Sequence, residues 1–383
     1  MDKFWDQDYF RVPRITACLV GQWPYQSSKE FILPRIVLLI LVIGLLIPRF
    51  RALFLHSDDP AIVLSVTTPI VMDAMLVVKT FSNAWNLKRM KNLMNKIYTN
   101  FGIFSKDELQ VLEEWTIAGK KLCKLYLGAL VGGVGIFITQ PLQQELVHKL
   151  MRANETNRHF PVPVDYGPID VDKYYWSLSL LTAITTGYMA ILTVACATLF
   201  IMLTYHTLGL FATLGYILNH LRIDTDDGPN DELYVRRCIQ LHYRIIEFAQ
   251  EVGGIYLWYF LGVIGLNMIL ISIIGVEIVA HVDAVGEMIQ YGSATILSFS
   301  HLFVECLIGQ RLIDYSLGIQ EHVSNSQWYD SSVKSQKMLR LLLMRSQYPC
   351  QLTAGKLLVI NMESYSRIIR TSASYFTVLL AMQ

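Results

Sequence analysis

Long apolar runs, separated by mixed polar and apolar stretches, dominate the pattern along the chain. A helix needs roughly 20 mostly apolar residues to cross a bilayer, and seven runs reach that length: 31–55, 61–81, 122–142, 175–203, 255–278, 288–308 and 357–382. Several carry interruptions. Arg35, Pro48 and Arg49 fall in the first, Pro69 and Asp73 in the second, and Gly128, Gly132, Gly133 and Gly135 cluster in the third. The stretches 88–121, 204–254 and 310–352 are too apolar for disorder: Leu, Ile, Met and aromatic residues recur there at helical spacing, as Leu339, Leu342 and Leu343 do on one face. The pattern predicts an all-α membrane protein with seven transmembrane helices, whose ends extend into the cytosol and pack together as an anchor. The matching division is a cytosolic segment 1–30, helices 1–4 in 31–203 with an extracellular loop 143–174, anchor helices in 204–254, helices 5–6 in 255–308, anchor helices in 309–353, and the last helix in 354–383.

Composition narrows the class. Of 383 residues 53% are hydrophobic and only 16% charged, where a soluble domain carries about 25% charge. A net charge of +1 provides no global basic field for nucleic acid. The first 30 residues are charged, include Trp5, Trp23 and Pro13, and lack the apolar core of a cleaved signal. The first translocating element is then expected to be a transmembrane helix.

Two signals set the expected orientation. Lys79, Lys88, Arg89, Lys91, Lys96, Lys106, Lys120 and Lys121 crowd the region after the second run, which the positive-inside rule assigns to the cytosol. The sequon Asn154-Glu155-Thr156 follows the third run and is usable only on the lumenal side, where Asn154 would be glycosylated. One helix separates the two signals, so they agree. Counting outward predicts a cytosolic N-terminus and an extracellular C-terminus. Cys18, Cys123, Cys196, Cys238, Cys306 and Cys350 then all fall in cytosolic segments or inner helix halves, where thiols stay reduced.

No phosphate-binding glycine loop, HExxH or nucleophile elbow is present, so the chain is not expected to be an enzyme and needs no cofactor. His301 and Glu305 lie one helical turn apart; their spacing suits a hydrogen-bonded pair better than a metal site, and no metal is expected. The glycine cluster fits either close helix packing or room for a ligand. Asp73 is expensive in lipid and is either a structural hydrogen-bonding group or a cavity wall. In the last run Glu363, Arg367, Arg370, Ser374, Val378 and Ala381 share one helical face, with Met382 beside it. That stripe is either a buried ion-pair network or a water-filled pathway, polar at one end and closed by Val378 and Met382 through dewetting.

The C-terminal third decides between them. Trp328-Tyr329, the run 337–349 ending Ser346-Gln347-Tyr348-Pro349, Leu352-Thr353-Ala354-Gly355, and Ser374-Tyr375-Phe376-Thr377-Val378-Leu379-Leu380 resemble the signature of insect odorant receptors. Cys238-Ile239-Gln240-Leu241-His242 with Ile245-Ile246-Glu247-Phe248 resembles that family's second intracellular loop. The usual Ser-Tyr-Ser-Tyr ending is Ser372-Ala373-Ser374-Tyr375 here, and the first 200 residues match in layout alone. The resemblance implies an odorant-gated, non-selective cation channel in the plasma membrane of an olfactory sensory neuron. It implies a heterotetramer with a co-receptor subunit, a central pore lined by the last helix, and surrounding membrane lipid. The co-receptor carries a large insertion in its second cytosolic loop, which is lacking here, so the chain reads as the odorant-tuning subunit. The alternatives are a gustatory-type receptor of the same superfamily, which lacks the Ser-Gln-x-Pro segment, and a transporter, which would want paired charges at mid-membrane depth in several helices.

The resemblance also places the odorant among helices 2, 3, 4 and 6, in their outer halves 62–71, 132–140, 175–185 and 288–298. These offer apolar walls at Val66, Ile70, Ile136 and Leu178, aromatics at Phe137, Tyr175 and Tyr291, and small residues at Gly132 and Gly135. Thr139, Thr182 and Thr295 are the candidate hydrogen-bonding hydroxyls, and Asp73 is a further wall candidate. No Lys, Arg, Asp or Glu falls in the four stretches. A dry pocket without counter-charge rejects ions, so the expected ligand is a compact neutral volatile of micromolar potency.

Overall fold

Local chemistry fixes where the helices begin. In the computed structural model, which describes residues 2–151, 165–167, 169–171, 173–220, 228–281 and 285–381, the helix α3 (Ser28–Leu55) opens on a capping box. Ser27 N donates to Glu30 Oε2 at 2.9 Å while the Ser27 hydroxyl accepts from Glu30 N, satisfying donors that the first helical turn orphans. Helix α4 (Pro60–Trp85) starts behind Asp59, whose carboxylate accepts from Ala61 N at 3.0 Å. Pro60 sits in the first turn, where no N–H is needed. Before them come two short helices, α1 (Asp2–Trp5) and α2 (Arg11–Leu19).

After α5 (Leu87–Asn100), four helices run far beyond the thickness of a bilayer: α6 (Lys106–Met151), α7 (Tyr175–Asn219), α8 (Gly228–Ala280) and α9 (Val285–Asn325). At 1.5 Å per residue, the 53 residues of α8 extend about 80 Å. Among the described residues six helices, α3, α4 and α6 to α9, are long and apolar enough to cross a membrane. On α3, Leu33, Leu39, Ile40 and Phe54 are exposed, as suits a helix facing lipid or a partner.

The ends of α6 to α9 outside the apolar stretches pack with α5 and α10 (Val333–Ser346). Leu93, Ile97, Leu112, Leu214, Val235, Ile245 and Leu339 form the core there. Its rim is polar: Lys96 bridges Glu251 at 2.9 Å and Glu247 at 3.5 Å, and Arg237 pairs with Glu108 at 2.8 Å. Burial works against the Lys96 ammonium, but the bond to Glu251 outweighs it and the pKa is raised. The stretch 88–121 expected as amphipathic helix is thus two helices, α5 and the start of α6, broken between residues 100 and 106.

Two local expectations are corrected, and one packed element is added. Lys79, counted above with the loop lysines, lies inside α4 and is 3% exposed; the others remain outside α4. The N-terminal segment is a packed element: Trp5 is buried against Phe10 and Trp23, with ring centroids 5.0 and 5.7 Å away. The last helix, α11 (Met362–Ala381), starts five residues later than its predicted run. The intervening residues form a hairpin of β1 (Thr353–Ala354) and β2 (Leu358–Val359), with Thr353 opposite Val359. Gly355 and Lys356 both have positive φ, 57° and 61°, the geometry of a type I′ turn. Gly355 N donates to Leu257 O at 3.0 Å, docking the turn on α8, and a Cβ there would come within 2.7 Å of Leu261. Helix α11 then lies against α8 and α9, where Ser272 Oγ donates to Ser372 O at 3.0 Å.

Candidate functional site

Helices α4, α6, α7 and α9 enclose a cavity of about 580 Å³. Each contributes one stripe at helical spacing: Ser65, Pro69, Met72 and Leu76 on α4, Leu122, Tyr126, Ala129 and Phe137 on α6, Thr182, Thr186 and Met189 on α7, and Tyr291, Ala294, Leu297 and His301 on α9. Asn267 and Leu270 of α8 and Arg49 of α3 complete the wall. Leu125 lines the cavity although it is 69% exposed, so the space opens along α6.

The lining is mainly apolar, and several of its polar groups are paired. Arg49 forms an ion pair with Asp73, which is 1% exposed. Tyr126 OH shares a hydrogen bond with His301 Nδ1 at 2.7 Å, and His301 Nε2 stands 3.4 Å from Glu305 Oε1 on the next turn. Asn267 Nδ2 donates to Ser298 O at 3.4 Å. Lys79 Nζ donates to Thr193 Oγ1 at 3.4 Å. Lys79, Leu122, Thr193 and Val304 belong to one end of the cavity, and Ser65, Pro141, Ser179 and Gln290 to the other, since these are the extremes of the four stripes.

A second feature is the free face of α11. Ser364, Ile368 and Ser372 are buried against the rest of the chain, while Glu363, Arg367, Arg370, Ser374, Val378 and Ala381 are all exposed. Arg367 Nη2 pairs with Glu363 Oε1 at 2.9 Å along the helix. Phe376 packs the other way, closely enough that a Cβ on Gly275 would meet its ring at 2.9 Å. Met382 lies outside the described residues, as does Asn154.

Residues 59–373 match the profile of the 7tm odorant receptor family. The chain belongs to the odorant receptor family. It is 23% identical over 390 residues to odorant receptor Or2 of Anopheles gambiae, covering 98% of this chain and 94% of that one. It is 28% identical over 246 residues to odorant receptor 13a of Drosophila melanogaster, covering 58% and 57%. The odorant receptor co-receptor of Harpegnathos saltator matches at 23% over 169 residues, or 41% of this chain and 34% of the relative. The fold is that of the olfactory receptor OR5 from Machilis hrabei, solved in complex with eugenol, with a TM-score of 0.79 at 15% identity over 100% of this chain and 98% of that one. The protein is a multi-pass membrane receptor and not an enzyme.

In this odorant receptor, the four helices expected to hold the ligand form most of the cavity wall, which α3 and α8 complete. Of the side chains singled out, Asp73, Thr182 and Tyr291 line it, as does Phe137. Val66, Ile70, Gly132, Gly135, Ile136, Thr139, Tyr175, Leu178 and Thr295 are not in the lining. Most sit one residue away from the stripe, about 100° around the helix. The glycine cluster does not make room: Gly133 is the packing contact, where a Cβ would meet Leu297 at 2.5 Å, while Gly132 and Gly135 face open space. Thr139, Thr182 and Thr295 donate their hydroxyls to backbone carbonyls one turn back, at 2.7, 3.0 and 2.9 Å, so Thr182, the one of the three in the lining, is left with acceptor capacity only. Sequence reasoning missed Lys79, Arg49, Tyr126 and His301 as lining residues, and their charge and polarity on apolar helices were the available signal.

Proposed function

We propose that this receptor is the odorant-binding subunit of a heteromeric, odorant-gated, non-selective cation channel in the plasma membrane of an olfactory sensory neuron. The observation that carries the proposal is the 580 Å³ cavity enclosed by helices of one chain. That volume lies in the range of small-molecule sites, where apolar walls and a few polar groups select by shape. The Arg49–Asp73 pair is internally neutral, which favours a neutral volatile over an ion. The OR5 chain of Machilis hrabei, solved in complex with eugenol, shares the fold and supports reading the cavity as the ligand site.

The proposed topology has a cytosolic N-terminus, the packed ends of α6 to α9 as the cytosolic anchor, lumenal Asn154 and an extracellular C-terminus. The pore is lined by α11. Its exposed stripe runs from Glu363, Arg367 and Arg370 to Val378 and Ala381, with Met382 next in sequence at the narrow end. The partner is a co-receptor subunit, and relatives of this chain include co-receptors. The test is to record odour-evoked current from cells expressing the chain with and without a co-receptor subunit. Current only when both are present is expected. Robust current from this chain alone overturns the heteromeric reading.

A further inference from the structure

Lys79 is a buried ammonium with too few partners. It projects from the last turns of α4 into the cavity wall, 3% exposed, and its one hydrogen bond among the described residues is the 3.4 Å contact to Thr193 Oγ1. An ammonium carries three donors and no acceptor. No carboxylate among the described residues stands within ion-pair distance of it: Asp73 is taken by Arg49, and Glu305 faces His301. Burying an incompletely partnered charge is costly, so an occupant that offers acceptor oxygen at this end is favoured over one that does not.

Several of the other donors on the wall are already engaged. Ser65 donates to Ile62 O at 3.0 Å, Thr182 to Leu178 O at 3.0 Å, and Asn267 to Ser298 O at 3.4 Å. Tyr126 and His301 bond each other. Lys79 is the charged lining residue with no ion-pair partner among the described residues, and hydrogen bonds from a charged donor are roughly twice as strong as neutral ones. Glu305 follows Val304 of the lining at the same end of the cavity and is near enough to act on Lys79, so a counter-charge is available in the protein. The occupant need not bring a negative charge.

We propose that Lys79 is the specificity-determining residue of the cavity and selects volatiles that carry a carbonyl oxygen, such as ketones and esters, over hydrocarbons of the same shape. This rests on the cavity being the odorant site. Its test uses matched probes: acetophenone against ethylbenzene and 2-heptanone against heptane, applied to the receptor co-expressed with its co-receptor subunit, with surface delivery measured. The unmodified receptor should respond to the carbonyl member at about tenfold lower concentration or better, the discrimination expected of a hydrogen bond to a charged group. Lys79→Met should bring each pair to within about threefold of one another, chiefly by weakening the carbonyl member. Lys79→Met with Glu305→Gln keeps the buried charge balanced and should do the same if the single variant is poorly delivered.

Equal potency of the two members on the unmodified receptor overturns the proposal without any variant. An unchanged preference in delivered Lys79→Met or the double variant also overturns it. Ala183→Phe, which fills the cavity from α7 away from Lys79, separates the two readings. If Ala183→Phe abolishes both responses while Lys79→Met changes no ratio, the cavity is the site and the Lys79 assignment alone is wrong. If Ala183→Phe leaves both responses intact, the site lies elsewhere and both readings fall.

Discussion

Tyr126 on α6 and His301 on α9 meet across the cavity, phenol oxygen 2.7 Å from ring Nδ1. Both side chains are buried, and the bond ties together two walls that share few other polar contacts. Tyr126→Phe removes one partner and strands the other. The expected loss is about 1–3 kcal/mol, the cost of a buried polar group left unpaired. His301→Leu alone should cost a similar amount, and the double variant less than the sum of the two. Thermal unfolding of purified receptor measures all three, and strict additivity would show that the bond is not made.

Arg49 and Asp73 join α3 to α4 as a buried ion pair on the same wall. Removing one partner leaves an uncompensated charge. Arg49→Met should therefore destabilise by about 3–5 kcal/mol and reduce surface delivery sharply, whereas Arg49→Met with Asp73→Leu should recover most of the loss. Surface labelling together with thermal unfolding checks both. Delivery of the single variant at unmodified levels would mean that the pair is dispensable.

The helices around the cavity were legible in the sequence, but the faces they turn to it were not. Hydrophobic periodicity tells core from water, and in a membrane it fails because lipid is as apolar as the protein interior. Val66 and Ile70 are as good an apolar pair as any on α4, and Val66 is fully buried, yet the cavity is lined by Ser65, Thr68, Pro69 and Met72. The usable signal was the polar stripe Ser65, Thr68, Asp73 and Lys79, because polar groups on such a helix must face protein or cavity. On α7 the same signal reads as Ser179, Thr182, Thr186 and Thr193, whereas from Leu192 to Leu218 the helix is buried almost all round and no one face stands out. The exposed stripe of α11 was legible because charges and hydroxyls mark its face outright. The β1–β2 hairpin was hidden because two-residue strands leave no periodicity to read.

The phase of α6 can be tested directly. Phe137 lines the cavity and its neighbour Ile136 does not. Phe137→Ala should shift odorant potency by about tenfold or more, the scale of losing a large buried apolar contact. Ile136→Ala should leave potency within about threefold. Concentration–response curves at matched surface expression decide it, and the reverse ranking would place the ligand on the other face of α6.

The charged end of α11 bears on conduction. Arg367 and Arg370 are exposed on the face assigned to the pore, and arginines repeated in every subunit would repel cations. The chain expressed alone should carry little or no current. Arg367→Gln with Arg370→Gln should raise that current by about tenfold, the low end of what charge focusing does to local ion concentration. Whole-cell recording of the homomeric variant tests this, and no gain at equal surface density would assign the two arginines to a subunit contact instead.

The junction that holds α11 in place depends on Gly309. A Cβ at this position on α9 would stand 2.1 Å from the backbone oxygen of Ile360, the residue linking β2 to α11. Ile360 N in turn donates to Leu352 O at 2.8 Å, closing the hairpin. The obstructing atom is backbone, so no rotamer change relieves the clash and the whole hairpin must move away from α9. Gly309→Ala is expected to cost at least about 1–3 kcal/mol, the scale of overpacking in a close-packed interior. Gly318, about two and a half turns further along α9, has nothing within 4 Å of the same ideal Cβ. Gly318→Ala should therefore be neutral or stabilise by about 0.5–1 kcal/mol through helix propensity. Thermal unfolding of the two variants gives the comparison, and current recording shows whether the displaced hairpin carries α11 with it. Opposite signs for the two alanines are the expected result, and a Gly309→Ala receptor as stable as Gly318→Ala would show that α9 and the hairpin are not in contact.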